Sequence, residues 1–413
     1  MPAGPGGTIP AMSEPGWVHH AIFWHVYPLG AVGAYPADEP PGPDEHRLRR
    51  LVGWLDHVQR LGTNGVLLGP VFASSTHGYD TTDHLRVDPR LGDTGDLDAL
   101  IAEAHDRGLR IVLDGVFSHV GPEHPRVLAV RADPAGPDAR WFRHDDDGGL
   151  ATFEGHPGLL ALDHGRAEVR DHVVEVMGHW LDHGVDGWRL DAAYAVPADF
   201  WAEVLPRVRE RHPDAWFLGE VLHGDHAEIA RATTIDSLTQ YELWKAVWSS
   251  LNDRNPHELA HALRRHEGFL AAEVPATFVG NHDVTRLASR LTDRRTLPLA
   301  LAVLFTVAGT PTVYAGDEFG LTGIKEDRFG GDDAVRPELA EDPPPGADLD
   351  VLHHHQELIG LRRRHDWLHR AHVEIVHVDH ERLTYRSHLD DHALTVTLDY
   401  GDDHRAPDWR LEA

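Results

Sequence analysis

The feature that most constrains the fold of this 413-residue chain is a repeated alternation of short apolar runs and longer amphipathic stretches. The runs have the length of strands buried on both faces, and the stretches between them carry apolar residues at helical spacing. Eight runs occur, at 21–27, 65–70, 110–114, 185–190, 216–219, 235–239, 276–280 and 312–315. Alternating strands and helices predict a parallel α/β sheet, and eight units favour closure into a (β/α)8 TIM barrel.

Two regions depart from this alternation. Residues 119–163, after the third strand, are rich in Gly, Pro, Asp and His, and they predict a short irregular insertion. From about residue 369 the pattern changes to the period-two alternation of strands, which predicts a small C-terminal β appendage. The predicted division is a disordered leader at 1–16, a barrel at 17–118 and 164–368, the insertion at 119–163 and a C-terminal β domain at 369–413.

Composition excludes several classes of function. The formal net charge of −29 repels nucleic acid and anionic membranes, so neither is expected as a partner, and a neutral substrate fits better. The chain has no cysteine, no apolar run long enough to span a membrane, and no signal-peptide pattern, which together favour a cytoplasmic location. No Gly-x-Gly-x-x-Gly follows the first strand, which argues against a dinucleotide-binding fold. The oligomeric state is left open.

Three acidic residues follow predicted strands. Asp191 ends the run that begins at Gly187, Glu220 follows the run at 216–219, and Asp283 follows the run at 276–280. Residues two apart on a strand face the same side, so Arg189 and Asp191 are expected to share a face. Because the carboxyl ends of the strands form the active-site face of such a barrel, the three carboxylates are predicted to meet there.

Paired carboxyl groups suit the cleavage of a glycosidic bond. One carboxyl protonates the leaving oxygen while an ionised one attacks the sugar carbon, and a separation of about 5 Å gives a covalent intermediate and net retention of configuration. The cation of Arg189 is expected to favour the anion at Asp191, which leaves Glu220 to hold the proton. No metal site is predicted, since no His-x-His closes the first strand.

Six short motifs add a family resemblance. In chain order they are Gly65–Pro70, Asp114–His119, Gly187–Asp191, Gly219–Val221, Phe278–Asp283 and Gly309–Glu318. Together they resemble the α-amylase family, glycoside hydrolase family 13, and are closest in pattern to its maltodextrin-acting, cyclomaltodextrin-acting and α-glucosidase-like members. The resemblance extends from about residue 17 to residue 364, and it implies the same barrel fold.

The resemblance also implies roles for individual residues. Asp191 would be the nucleophile, Glu220 the general acid/base, and Asp283 the group that stabilises the transition state. The residues implied to bind substrate are Tyr79, Asp80, His119, Arg189, His282 and Arg336. Among these, Tyr79 would be the platform on which a sugar ring stacks, and the two histidines would hydrogen-bond sugar hydroxyls. The implied substrate is an oligosaccharide, and the implied activity is retaining hydrolysis of α-1,4-linked gluco-oligosaccharides through a glycosyl–Asp intermediate.

Other positions differ from the family's usual pattern. Ser118 stands where the family usually has Asn, a common calcium ligand, so a calcium ion is doubtful and no cofactor is expected. The acidic run Asp145–Asp147 is interpreted as a solvated turn. Tyr194 and Ala195 stand where starch-degrading amylases often have Lys-His on the leaving-group side, which argues against typical endo-amylase binding.

Three activities are compatible with these motifs. Asp80 and Arg336 match a pair that, in family members removing single glucose units, grips the terminal sugar, so an exo-acting α-glucosidase is one alternative. A transglycosylase or isomerase that makes or rearranges a disaccharide such as trehalose or sucrose is another, because the same three carboxylates serve and only the acceptor differs. The sequence leaves the choice between these and simple hydrolysis open.

Overall fold

The structure is a computed structural model that describes residues 14–36, 46–328, 330–402 and 404–412. The eight barrel strands are β1 (Phe23–Val26), β2 (Gly65–Leu68), β5 (Arg110–Gly115), β9 (Gly187–Leu190), β10 (Trp216–Gly219), β11 (Ser237–Leu238), β12 (Ala276–Phe278) and β13 (Thr310–Tyr314). The remaining strands, numbered in the same chain order, are β3 (Phe72–Ser74), β4 (Thr81–Val87), β6 (His119–Val120), β7 (Thr152–Phe153), β8 (His156–Ala161), β14 (His372–Val378), β15 (Arg382–Leu389), β16 (His392–Asp399) and β17 (Asp408–Glu412). The predicted eight-stranded α/β barrel is confirmed.

Helices separate the barrel strands. They are α1 (Pro28–Ala31), α2 (Arg50–Leu61), α3 (Thr94–Asp106), α4 (Pro125–Ala132), α5 (Ala167–Asp182), α6 (Ala198–Arg209), α7 (His226–Thr233), α8 (Tyr241–Asn252), α9 (Pro256–Phe269), α10 (Leu287–Arg290), α11 (Leu297–Thr306) and α12 (Leu349–Arg364). Within the described residues, no helix is both long and apolar enough to cross a bilayer.

The segment that leads to Asp191 shows why the sequence folds in this way. Helix α5 buries the stripe formed by Val173, Val176, Met177 and Trp180 against the sheet. Strand β9 follows, and all four of its residues are buried because both of its faces are covered. At Gly187 a Cβ atom would lie 2.2 Å from the carbonyl oxygen of Trp216, so only glycine permits this close approach to β10.

The strand order is β11-β10-β9-β5-β2-β1-β13-β12, with parallel pairing between all neighbours. The circle is completed more weakly where β11 meets β12. There the strands are joined by a single parallel bridge between Thr239 and Ala276 and by the hydrogen bond from the Ser237 hydroxyl to the Val274 carbonyl, at 2.7 Å. We call this junction the seam of the barrel.

Two excursions leave the barrel on its carboxyl side. The hairpin of β3 and β4 carries Tyr79 and Asp80 at its turn. The region 119–163 was expected to be irregular, but it contains helix α4 and a three-stranded sheet of order β6-β8-β7. Strands β6 and β7 have only two residues each, which is too short for an alternating pattern to be visible in the sequence.

The C-terminal segment forms an antiparallel sheet of order β14-β15-β16-β17 beside the barrel. Its inner face packs on helix α11, where the Tyr385 hydroxyl lies 2.6 Å from the hydroxyl of Thr306 and the Ser387 hydroxyl donates to the Thr306 carbonyl at 2.6 Å. The predicted β appendage is therefore present, and it has four strands.

The start of the chain needs a correction. Most of the predicted leader, 1–13, lies outside the described residues, but residues 14–16 are not disordered. Glu14 is only 6% exposed, and its carboxylate hydrogen-bonds the His369 ring at 2.7 Å and the Arg370 guanidinium at 2.5 Å. These contacts tie the chain before β1 to the segment that precedes the C-terminal sheet.

Candidate active site

The three predicted carboxylates converge at the carboxyl ends of the barrel strands. Asp191 immediately follows β9, Glu220 immediately follows β10, and Asp283 lies in the loop after β12. All three line one cavity of about 430 Å³. Asp191 and Glu220 are only 8% and 7% exposed, so their charges are poorly screened by solvent.

Arg189 connects these carboxylates. Its guanidinium, which is 5% exposed, donates through Nη1 to both oxygens of Asp114, at 2.7 and 2.6 Å, and to Asp191 Oδ1 at 3.3 Å. Its Nη2 lies 2.9 Å from Glu220 Oε1 and 4.0 Å from Asp283 Oδ2. The planar fork of one arginine thus faces four acidic side chains, a geometry that a lysine could not reproduce.

The charge distribution differs from the expected one. Arg189 was expected to favour the anion at Asp191, yet Glu220 has more donors: Arg189, the Ala192 amide at 3.0 Å and the Tyr241 hydroxyl at 3.1 Å. Burial, and then the neighbouring charge of Glu220, raise the pKa of Asp191 well above its usual value. Before substrate binds, the protonated form of Asp191 is therefore favoured, because this carboxyl has only one contact with Arg189, at 3.3 Å.

The pKa of Asp283 is shifted in the opposite direction to that of Asp191. Burial alone would raise its pKa, but His282 and the guanidinium of Arg336 hold the pKa of this carboxyl well below its usual value. Arg336 Nη2 lies 2.7 Å from Asp283 Oδ1, and His282 Nε2 lies 3.0 Å from Asp283 Oδ2. Asp283 is consequently ionised at neutral pH.

Tyr79 and His282 form a stacked pair. Their ring centroids are 5.6 Å apart with an interplanar angle of 3°, the Tyr79 hydroxyl contacts His282 Nε2, and it also donates to Asp114 at 3.1 Å. Tyr79 lines the cavity as expected of a platform. His282 does not line this cavity, and its ring nitrogen Nε2 is directed to Asp283 and Tyr79 instead.

His119 lines the cavity, but both of its ring nitrogens are occupied. Nε2 is 3.0 Å from the Tyr79 carbonyl, which requires a proton on that nitrogen, and Nδ1 is 2.8 Å from the Ser118 hydroxyl. Phe153 from the insertion packs against the ring at 4.6 Å. Here His119 connects the turn at Tyr79 to the insertion, and a bond to a sugar hydroxyl would need one of these contacts to be exchanged.

The expected pairing of Asp80 with Arg336 does not occur. Asp80 accepts hydrogen bonds from the amide and the hydroxyl of Thr76, at 3.0 and 2.7 Å, and so closes its own hairpin turn. Arg336 pairs with Asp283 and, at 3.2 Å, with Asp332. Both side chains of the predicted clamp are buried, but each is held by other partners, because the loops that carry them lie at positions that the sequence does not specify.

Tyr241 and Asn281 are functional candidates that sequence reasoning missed. The Tyr241 hydroxyl donates to Glu220 and accepts a hydrogen bond of 2.9 Å from the Asn281 amide. Tyr241 follows β11 and Asn281 follows β12, so the two residues stand on opposite sides of the seam. Their position after short strand runs was the available signal, since Asp191 and Glu220 also directly follow barrel strands.

A second cavity of about 580 Å³ adjoins the first. We call the first, which contains Asp191 and Glu220, lobe 1, and the second, which contains Arg336, lobe 2. The lobes share four lining residues, Tyr79, His156, Asp283 and Lys325. Lobe 1 also has apolar walls formed by Phe153, Leu159, Tyr194, Leu222, Tyr241 and Val284. The lobes form one cleft, with the carboxylates in lobe 1, and apolar side chains of this kind suit the C–H faces of a sugar.

The residues near Ser118 do not fit a calcium ion. Its hydroxyl is engaged by His119, and Asp145 accepts hydrogen bonds from the amides of Asp147 and Gly149, which close its own turn. Among the described residues, groups with metal-ligand spacing occur only at Glu14, His19 and His369 and at His46, Asp93 and Asp96. Both groups are paired with arginine, through Arg370 and Arg49, and neither lines the cleft.

Comparison with known proteins gives three relevant matches. A model of the α-amylase catalytic domain matches residues 47–349. A cyclomaltodextrinase from Bacillus sp is 30% identical over 391 residues, which cover 86% of this chain and 68% of that protein. An intracellular maltogenic amylase from Bacillus subtilis is 29% identical over 337 residues, which cover 75% of this chain and 57% of that protein. The chain therefore spans roughly two thirds or less of these relatives' length.

A solved structure corresponds over nearly its whole length. The cyclic α-maltosyl-(1→6)-maltose hydrolase of Arthrobacter globiformis, in complex with its cyclic sugar, superimposes with a TM-score of 0.83 at 26% sequence identity. The match covers 94% of this chain and 92% of that one.

Proposed function

The chain belongs to the α-amylase family of glycoside hydrolases, and from this premise we propose that it is a retaining enzyme that cleaves α-1,4-linked gluco-oligosaccharides. The observation that carries the proposal is the placement of Asp191 and Glu220 on opposite ends of one guanidinium, at 3.3 and 2.9 Å, inside a single cavity. Two carboxyls that share one buried cation can exchange roles as proton donor and anion without a large rearrangement.

In the proposed reaction Asp191 attacks the anomeric carbon and forms a covalent glycosyl ester. Glu220 first donates a proton to the leaving oxygen and then removes one from water, which hydrolyses the ester. In the free site the raised pKa of Asp191 favours its protonated form, so a proton must move from Asp191 to Glu220 before the attack.

Asp283 remains an anion throughout this sequence. Its contacts with Arg336 and His282 fix its carboxylate beside the site of charge development, where it stabilises the oxocarbenium-like transition state. Tyr79 offers a ring face at the junction of the two lobes, where the sugar that undergoes cleavage stacks. Arg189 is a positioning residue, since it acts through the carboxylates. We expect no metal to take part, because the hydroxyl of Ser118 and the carboxylate of Asp145 are engaged in hydrogen bonds within the chain.

The names of the relatives and the cleft support a proposed substrate class. The relatives named above are, by their names, a cyclomaltodextrinase, a maltogenic amylase and a hydrolase of a cyclic maltose derivative, which favours short or cyclic maltodextrins. All three names describe hydrolases, which favours water over a sugar as acceptor, so the transglycosylase or isomerase alternative ranks second. An intracellular relative supports a cytoplasmic location for this chain as well.

The exo-acting alternative loses its main support. It required Asp80 and Arg336 to close the site behind one glucose unit, but these residues have other partners. Lobe 2, which Tyr79, Arg336 and Asp332 line, has a volume of about 580 Å³, so a donor of several units has space on that side. We therefore propose that the donor side of the cleft is open.

The experiment that tests the proposal follows the anomer released from maltoheptaose by proton NMR during the first minutes. An α-anomer supports retention, and a β-anomer would contradict the proposed intermediate. The variant Asp191→Asn is expected to lose at least about a thousandfold in kcat, because the nucleophile is removed. The matched substitution Asp146→Asn, in an exposed turn, is the control and keeps the wild-type rate. Full activity in Asp191→Asn would refute the proposal.

A further inference from the structure

A hydrogen bond joins the two walls of lobe 1. The Tyr194 hydroxyl, on the turn after the nucleophile strand, donates to Glu154 Oε1 at 2.8 Å, and Glu154 lies at the tip of the β7–β8 hairpin of the insertion. Both residues line the lobe. Burial, and then the neighbouring carboxylate of Glu154, raise the pKa of Tyr194, so the hydroxyl keeps its proton and remains a donor. We call this pair the bridge.

The backbone at Glu154 adopts a left-handed conformation that is uncommon for a residue other than glycine. Glu154 and Gly155 form a two-residue hairpin turn with φ values of +48° and +79°, the pattern of a type I′ turn. Such turns prefer Asn, Asp or Gly at the first position, and a glutamate there is disfavoured. Neither a glycine nor the shorter side chains would carry a carboxylate to Tyr194, so the strain is offset by the contact that this glutamate makes.

The chemistry identifies which sugar the bridge faces. A general acid must lie between the donor sugar and the leaving group, because it protonates the oxygen that joins them. Glu220 lines lobe 1 and not lobe 2, and Leu222, Tyr194 and Glu154 likewise line only lobe 1. Lobe 1 past Glu220 is therefore the leaving-group side, and this assignment rests on the proposed function.

We infer that the Glu154–Tyr194 bridge limits the length of the leaving group and so directs cleavage to bonds near the reducing end of a maltodextrin. Lobe 2 accepts a long donor, whereas a chain in lobe 1 meets a connection between the insertion and the barrel. The bridge is a specificity determinant, since neither of its residues contacts the three carboxylates through a hydrogen bond. It also explains the tyrosine at position 194, whose hydroxyl has its partner on the opposite wall.

Maltoheptaose labelled with 13C at the reducing-end C1 provides the test. The wild-type enzyme is expected to place the label mainly in glucose and maltose at the earliest time points. Glu154→Gly removes the carboxylate and relieves the strain, so the protein stays folded, and the fraction of label in products of three or more units is expected to rise at least threefold. Tyr194→Phe, which removes only the hydroxyl, is expected to give the same shift.

The control variant replaces another residue that has a positive φ, far from this hairpin in the sequence. Asp390 has a φ of +50° in the turn between β15 and β16, and Asp390→Gly is expected to leave the label distribution unchanged. The double variant Glu154→Gly/Tyr194→Phe should shift the label no further than either single variant, because both remove one interaction. A label distribution that is the same in both single variants as in the wild type, or already broad in the wild type, overturns the inference. Absence of any cleavage by the wild type would instead refute the proposed function.

Discussion

The substitution Arg189→Lys tests whether the site depends on a forked cation and not merely on a positive charge. Arg189 contacts Asp114, Asp191 and Glu220 at 2.6 to 3.3 Å through two different nitrogens. A lysine keeps the charge, but its single ammonium cannot reach all three carboxylates. It is expected to remain at Asp114, which has the shortest contact and is fully buried.

The distances give the magnitude. Moving a unit charge from about 3 to about 6 Å from one carboxylate costs about 3 kcal/mol at an effective dielectric constant of 20. Because 1.36 kcal/mol corresponds to a factor of ten, kcat/KM is expected to fall by about two orders of magnitude. The free energy of unfolding should fall by only about 1–3 kcal/mol, since the ammonium still satisfies Asp114.

The assay combines initial rates on maltotriose with calorimetric unfolding. The matched control is Arg209→Lys: Arg209 pairs with Asp236 at 2.8 Å at the end of α6, and it does not line the cleft. This control is expected to lose stability and keep its rate. A folded Arg189→Lys protein whose kcat/KM lies within threefold of the wild type would refute the reasoning.

Three further predictions concern the same site. Because the pKa of Asp191 is raised in the folded protein, keeping this carboxyl ionised at pH 7 lowers the free energy of unfolding. Asp191→Asn is therefore expected to have a higher Tm than the wild type at pH 7, and the difference should shrink as the pH falls below the raised pKa of Asp191. An equal or lower Tm of the variant at pH 7 would contradict this. Tyr241→Phe removes a donor to Glu220 and is expected to lower kcat about ten- to a hundredfold with a smaller change in KM, so an unchanged kcat would argue against a positioning role. A chelator is expected to leave rate and Tm unchanged because Ser118 is engaged by His119, and a loss restored by calcium would show that a site was overlooked.

The fold was largely predictable because its determinants are local. Each barrel strand is an apolar run of a few residues between amphipathic helices, and a buried parallel strand needs no other signal. The same logic placed Asp191, Glu220 and Asp283 together, since strand ends in such a barrel meet. By contrast, the two-residue strands β6 and β7 and the burial of Glu14 depend on contacts with distant segments. Such contacts produce no periodic pattern of apolar residues in the sequence.

The electrostatic detail of the site was less predictable. The spacing of Arg189 and Asp191 suggested that these two residues pair with each other. The Arg189 guanidinium is, however, closer to Glu220 after the neighbouring strand, at 2.9 Å, than to Asp191, at 3.3 Å. Arg336 likewise has a choice of acidic partners from different loops, and only the three-dimensional arrangement shows that Asp283 and Asp332 are nearer than Asp80. Sequence spacing fixes which residues share a face, but not which neighbour across the barrel competes for them.

The seam between β11 and β12 makes the hydrogen bonds of Glu220, the proposed general acid, depend on the closure of the barrel. The strands there are only two and three residues long, and the Tyr241–Asn281 hydrogen bond lies directly above their junction. Transient opening of the ring would separate Tyr241 from Asn281 and withdraw a donor from Glu220 at the same moment. Amide protons of β11 and β12 should therefore exchange with solvent faster than those of the other barrel strands. A bound oligosaccharide should slow that exchange, because a ligand that binds only the closed barrel stabilises the closed form.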